Sequence, residues 1–349
     1  MVFDYQSFGN SVYFGSGKLS LLPQLLAHYQ RILIIASARH KTFTDTLVNA
    51  LNNQEVYLFN SVVQHVPEDL VDRANVVVRT FIPEVIVAFG GGSAIGLAKA
   101  LVLRNPLPIV AVPTTYSGSE QTNIYGITTD EGKTTGRNDV VLPKVVIYDP
   151  ELTLQMPLPL AVKSTMNAMA HLVEAIYSPT HNPVTQQLAI SGIRQLREAL
   201  EELNGTNQLN ATINTKMLMG AYLGGKSLCE VAMSLHHKMA HVLGGSFQLD
   251  HATVHTILLP HVLSYQWKYL SKETRTLFVQ VFENDYPPLA LKWLAKKTWV
   301  ETDLQSIGFR ETDIERAAGM MISNPYPNPA PITKSGLIAL LESAYSGAL

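Results

Sequence analysis

Short runs of consecutive apolar residues alternate with longer amphipathic stretches over the first part of the chain. Residues 32–36 (ILIIA), 85–89 (VIVAF) and 109–112 (IVAV) contain no polar position, the pattern of parallel strands covered on both faces. Arg31 opens the first of these runs, and further strands are predicted at 12–14, 55–59 and 145–148. Helices are predicted at 19–29, 43–51, 67–80 and 94–103, the third with Pro67 and Glu68 at its start. Strand followed by helix, repeated in this way, specifies a mostly parallel sheet with helices on both sides.

The pattern changes after Asp149-Pro150, and Met156-Pro157-Leu158-Pro159 forms a stiff junction. Beyond it the spacing is helical, at 163–177, 184–202, 212–243, 253–270, 288–297, 313–323 and 332–345, and no β-rich run of comparable strength follows. Two domains are therefore expected, α/β over 1–155 and all-helical over 156–349. Neither an internal repeat nor a low-complexity segment interrupts them.

Composition narrows the setting. With 46% hydrophobic and 15% charged residues the chain is ordinary globular protein, and a formal net charge of -2 without a basic stripe leaves no footprint for nucleic acid or an anionic membrane. The longest apolar runs are strand-sized, too short to cross a bilayer. Cys229 is the single cysteine, so no internal disulfide forms, and the opening MVFDYQSFGN lacks the basic-then-apolar pattern of a leader; a cytoplasmic location is expected.

Two loops look built for a nucleotide. Gly90-Gly91-Gly92-Ser93 joins an apolar strand to a helix, where glycine lets the backbone approach a ligand and the helix N-terminus favours a pyrophosphate. It matches neither G-x-G-x-x-G nor a Walker loop, so the spacing does not name the ligand. A polar loop at 113–120 (PTTYSGSE) follows another strand at the same edge of the sheet, where α/β folds bind ligands.

The second half carries histidines. Five of the chain's eleven lie between 236 and 255, and His237 and His241, four apart, share one face of a helix. Gly244-Gly245 is expected to end that helix and a short turn to deliver His251, with Asp250 beside it. Lys238 stands where a zinc protease needs glutamate after the first histidine, which removes that reading. His236 is expected at the surface or behind the site; His255 and His261 read as structural. Glu174, close after His171, either orients that imidazole or is solvated, and Cys229 reads as buried and inert.

The segments FGGGSAIGLAKAL (89–101), VPTTYSGSEQT (112–122), MNAMAHLVEAIYSP (166–179), HHKMAHVLGG (236–245) and HATVHTILLPHV (251–262) resemble the iron-containing, or group III, alcohol dehydrogenase superfamily over essentially the whole chain. That superfamily shares the dehydroquinate synthase-like fold. The stretch 122–153, AHLVEAIYSPTHNPV (170–184) and NPYPNP (324–329) are most similar to its maleylacetate reductases.

The resemblance implies a dinucleotide on the first domain, a helical second domain and a cleft between them. It suggests Gly91, Gly92 and Ser93 at the pyrophosphate, Thr114, Thr115 and Ser119 nearby, Lys133 near the ribose, and Ser37 where NAD-preferring relatives carry an acid. Without that acid, and with Arg39 beside it, both NADH and NADPH are expected to serve. The metal ligands of relatives fall on Asn167, His171, His237 and His251; Asn167 replaces the aspartate, so this is read as a vestigial site and metal as not required. The implied substrate is the dianion maleylacetate, reduced at its carbon-carbon double bond to 3-oxoadipate in the breakdown of aromatic compounds. The alternative is a metal-dependent alcohol or polyol dehydrogenase. His241 and His251 are assigned to oxyanion stabilisation and proton delivery, with His237 and His171 holding the substrate. Thr115, Tyr116, Asn167 and Tyr326 are assigned as carboxylate donors, and a homodimer is expected.

Overall fold

The apolar runs become the middle of a sheet. The computed structural model describes residues 3, 5–63, 66–129, 132–297, 300–323 and 326–349, the side chains of Lys133, Lys296 and Lys297 aside. The chain separates into two compact units, Ser7–Gln155 and Met156–Leu349, the second joined by Met1–Gln6. In that opening segment Tyr5 donates its hydroxyl proton to Glu230 Oε2 at 2.9 Å, which ties it to the helical unit.

The first unit runs β1 (Ser11–Phe14), α1 (Leu22–Leu26), β2 (Arg31–Ala36), α2 (Lys41–Ala50), β3 (Glu55–Phe59), α3 (Glu68–Phe81), β4 (Val85–Gly90), α4 (Gly92–Arg104), β5 (Ile109–Pro113), β6 (Ile124–Thr129), β7 (Gly132–Arg137) and β8 (Val145–Tyr148). Six of these strands form one sheet in the order β1-β8-β5-β4-β2-β3, all pairs parallel. β4 is central and buried at every position. Its alternate residues feed two cores: Ile86 and Ala88 pack with Leu70, Ala74 and Ile95 from α3 and α4. Val85, Val87 and Phe89 pack with Leu22, Leu26 and Leu47 from α1 and α2. Covering on both faces is why these strands are uniformly apolar.

Two local departures from the periodicity have clear causes. The helix expected over 19–29 is a 3-10 turn, Lys18–Leu21, followed by five residues of α1, because Pro23 lacks the amide proton needed to continue a preceding helix. An antiparallel hairpin, β6 with β7, occupies 124–137, where threonines and glycines give no clean alternation of apolar positions.

The helical unit comprises α5 (Leu158–Tyr177), α6 (Pro183–Thr206), α7 (Ala211–Glu230), α8 (Leu235–Ser246), α9 (His251–Trp267), α10 (Lys272–Phe282), α11 (Pro287–Lys297), α12 (Ile314–Ile322) and α13 (Lys334–Ser346). Among the described residues no strand lies beyond Tyr148, and no helix is long and apolar enough to cross a membrane. α5 is the buried axis of this unit, enclosed from Ser164 to Tyr177 at every position except Asn167. The single helix expected over 212–243 breaks at 231–234 into α7 and α8, and the cause lies in the site described next.

Candidate active site

At the carboxyl ends of β2, β4 and β5 the predicted nucleotide residues gather. Gly91 caps α4 in an extended conformation and Gly92 and Ser93 open its first turn, so backbone amides there have no helical carbonyl to donate to. The following loop lies against them. Thr114 donates its backbone N–H to Gly90 O at 3.0 Å, and a Cβ built on Gly91 would sit 2.8 Å from Thr115 Cγ2. Only glycine admits that approach.

Lys99, fully buried on α4, donates through Nζ to Ser119 O and Thr122 O, both at 2.7 Å, and to Ile124 O at 2.9 Å. This buried ammonium pins the loop carrying Thr114, Thr115 and Ser119 to the helix of the glycine loop. Spacing alone did not single it out. Ser37 ends β2 at the same edge, with Oγ 3.1 Å from His40 Nδ1. Lys133 belongs to β7, and its side chain lies outside what is described.

Tyr116 requires a correction. The ring is fully buried and its hydroxyl is hydrogen-bonded to Thr153, burial raising its pKa. A phenol so enclosed is engaged within its own unit and is not offered to a carboxylate.

In the helical unit the histidines meet. Asn167, His171 and Glu174 follow one another along one face of α5. The His171 and His237 rings stack with centroids 5.0 Å apart, His237 lies 6.5 Å from His241, and His241 lies 5.9 Å from His251. Asp250 brings His251 into place, because its carboxylate caps α9 by accepting from Thr253 N at 2.9 Å. Gly244 does not end its helix as expected, since α8 continues to Ser246. Its use is spatial: a Cβ there would stand 3.4 Å from His251 Nδ1.

Glu174 is neither solvated nor turned to His171. It is fully buried and accepts from Ser234 N at 3.2 Å, His236 N at 2.8 Å and His237 Nδ1 at 2.6 Å. The carboxylate thus caps the first turn of α8, where a helix N-terminus favours negative charge, and it fixes the His237 ring. This break and cap end α7 early. Ser178 and Thr180 add to it, Ser178 Oγ donating to Ala232 O at 2.7 Å and Ala232 N donating to Thr180 Oγ1 at 2.8 Å.

Of the two places expected for His236, the structure has the one behind the site: it is fully buried, with Nε2 2.7 Å from His255 Nδ1. His255 Nε2 in turn lies 3.1 Å from His251 Nε2, so His255 adjoins the site. His261 stays apart, paired with Ser343 at 2.8 Å. Burial, reinforced by neighbouring imidazoles, holds His171, His236 and His255 well below the ordinary imidazole range. Burial therefore favours their neutral form.

Several buried polar atoms have no partner among the described residues: Asn167 Oδ1, His171 Nδ1, His237 Nε2 and Tyr326 Oη. Buried polar atoms in folded proteins are nearly always bonded, to protein or to water, so these four have hydrogen-bonding capacity to offer a ligand. Tyr326 is held near α8 by its own loop, in which Pro327 O accepts from Ser234 Oγ at 3.0 Å and Asn328 Oδ1 accepts from Leu235 N at 3.4 Å. Burial and the charge of Glu174 raise the Tyr326 pKa, keeping the phenol a hydrogen-bond donor.

Two family models cover the chain, iron-containing alcohol dehydrogenase over 9–150 and the Fe-containing alcohol dehydrogenase family C-terminal region over 161–345. A maleylacetate reductase of Pseudomonas sp. (strain P51) is 40% identical over 338 residues, 96% of each chain. One from Sphingobium indicum is 38% identical over 348 residues, 99% of this chain and 98% of that one. The crystal structure of maleylacetate reductase from Rhizobium sp. strain MTP-10005 superposes with a TM-score of 0.94 at 33% identity, covering 99% of both chains.

The iron in the family's name would meet an altered set of donors here. Asn167 offers a neutral amide where a carboxylate would balance the cation, and His251 Nε2 is engaged by His255. Among the described residues no three His, Cys, Asp or Glu side chains are grouped to hold a metal ion. With models of both its halves matched and close relatives aligned nearly end to end, the chain belongs to the maleylacetate reductases of the iron-containing alcohol dehydrogenase family.

Proposed function

We propose that this chain reduces the carbon-carbon double bond of maleylacetate with NADH or NADPH, giving 3-oxoadipate, and does so without a metal ion. The observation that carries the reading is the set of unpartnered buried ring and hydroxyl atoms His171 Nδ1, His237 Nε2 and Tyr326 Oη, which suits a polar, oxygen-rich substrate. A bound nicotinamide would supply hydride to the alkene carbon beside the carboxylate. The electron pair of the double bond moves toward the ketone, and the resulting enolate oxygen needs hydrogen-bond donors. A proton then adds to the carbon next to the ketone. His241 and His251 supply oxyanion stabilisation and that proton; His237, fixed by Glu174, and neutral His171 hold the substrate. Asn167, through Nδ2, and Tyr326 donate to its carboxylates.

The nucleotide lies on Gly91, Gly92, Ser93, Thr114, Thr115 and Ser119, with Lys133 and Ser37 toward the ribose. No acid stands at Ser37 to repel a 2'-phosphate, so catalytic efficiencies with NADH and NADPH fall within about tenfold, equivalent to about 1.4 kcal/mol. The working form is a cytoplasmic homodimer, a state that light scattering reads directly.

Following NADH absorbance with maleylacetate, before and after treatment with a strong chelator, tests the whole reading. Equal rates in both arms are expected. Activity lost on chelation and restored by iron or zinc would favour metal-dependent chemistry instead, and oxidation of simple alcohols in preference to maleylacetate reduction would end the assignment.

A further inference from the structure

One ring at the nucleotide edge has no task so far. His40 begins the passage from β2 into α2, with Nδ1 3.1 Å from Ser37 Oγ and Nε2 3.3 Å from Thr114 Oγ1. It therefore spans from the end of β2 to the loop after β5. Between them lies the end of β4, where the ring meets Phe89 edge-on with centroids 5.4 Å apart. The adjacent Gly90 has φ of +153°, and a Cβ added there would stand 3.0 Å from Ala94 Cβ and 3.8 Å from His40 Cε1. Burial, then the nearby Arg39 charge, lowers its pKa to about 4, so at neutral pH the ring carries one N–H and one lone pair.

We propose that His40 is a positioning residue of the dinucleotide site, bridging Ser37 to Thr114 and setting the direction of both hydroxyl protons. The idea rests on the nucleotide reading above and deepens it. With the proton on Nδ1, the ring donates to Ser37 and accepts from Thr114, leaving the Ser37 proton available to a 2'-phosphate oxygen. With the proton on Nε2, Ser37 donates to the ring and turns its lone pairs to a ribose 2'-hydroxyl. One tautomer suits NADPH and the other NADH, without movement of the backbone.

The test is fluorescence titration of NADH and of NADPH against wild type, His40→Phe and His40→Gln. Phenylalanine keeps the edge contact with Phe89 and removes both nitrogens; glutamine returns a donor and an acceptor. His40→Phe should weaken both cofactors about tenfold, with cofactor KM rising in step and kcat changing far less, and His40→Gln should recover most of the loss. Ser37→Ala and Thr114→Val provide a second route if the phenylalanine variant does not fold. Each removes one end of the bridge, so their losses in the double variant should be less than additive.

A folded His40→Phe that binds both cofactors as wild type does, a glutamine variant no better than phenylalanine, or strictly additive losses from the hydroxyl variants would overturn the proposal. Wild type binding neither dinucleotide would sink the nucleotide reading and this one with it. Wild type binding both, with all variants unchanged, would sink this one alone.

Discussion

Glu174 accepts hydrogen bonds from two amides and one imidazole at the start of α8, so replacing its charge is felt first at His237. In Glu174→Gln one of the three donors must face an amide NH2. Hydrogen bonds to charged groups contribute about 1.5–3 kcal/mol, and a melting curve should show a loss of that order. Turnover should fall while the dissociation constant for NADH holds, because the residues proposed for the cofactor belong to the other unit. Equal losses in both would mean that Glu174 only supports the fold. At Asn167 the expected change is a gain: Asn167→Asp should bind zinc at least about tenfold more tightly by equilibrium dialysis, since carboxylate is the better ligand. Unchanged zinc binding would show that the missing charge is not what limits the site.

At the scale of elements, two glycines separate stability from function. Gly244→Ala replaces a helical glycine, which alone stabilises by about 0.5–1 kcal/mol. Its Cβ would come into van der Waals contact with His251 Nδ1 and restrict that ring, so the variant should melt no lower and yet turn over several-fold more slowly. Gly91→Ala forces Thr115 aside and should weaken NADH binding with little effect on the maleylacetate KM. A titration that cannot tell this variant from wild type would remove the loop from the nucleotide site.

The same elements show what the sequence displayed and what it hid. Strands β2, β4 and β5 were legible because burial on both faces leaves an unbroken apolar run, and the glycine loop because few residues allow its geometry. His237 and His241 were legible as a pair by helical spacing, and His251 by the turn expected to deliver it beside them. The burial of Tyr116, His236 and Glu174 was not, since each depends on a partner distant in sequence: Thr153, His255 and the first turn of α8. The hairpin β6 with β7 and the break between α7 and α8 were hidden for related reasons, a weak alternation in one case and a remote carboxylate in the other.

Over the whole molecule, several imidazoles are neutral in the fold but would be charged in the unfolded chain. His40 and His261, both lowered to about 4 chiefly by burial, illustrate the sign. Between the unfolded value near 6.5 and the folded value, the unfolded chain binds more protons, so stability falls as pH drops through that window and levels off below it. His171, His236 and His255 act in the same direction. The melting temperature should therefore decline steadily from pH 6.5 toward 4. His261→Gln should flatten the slope by up to about 1.4 kcal/mol per pH unit. A melting temperature flat over this range would contradict the buried, neutral state of these rings.

α5 holds Asn167, His171 and Glu174 on one rigid, enclosed rod. Exchange of amide for acid at 167 keeps the size of the side chain nearly constant and alters the charge there by one unit. In the genetic code that exchange is one base in one codon, so mutation can try an anionic donor in this scaffold, or discard it, in a single heritable step.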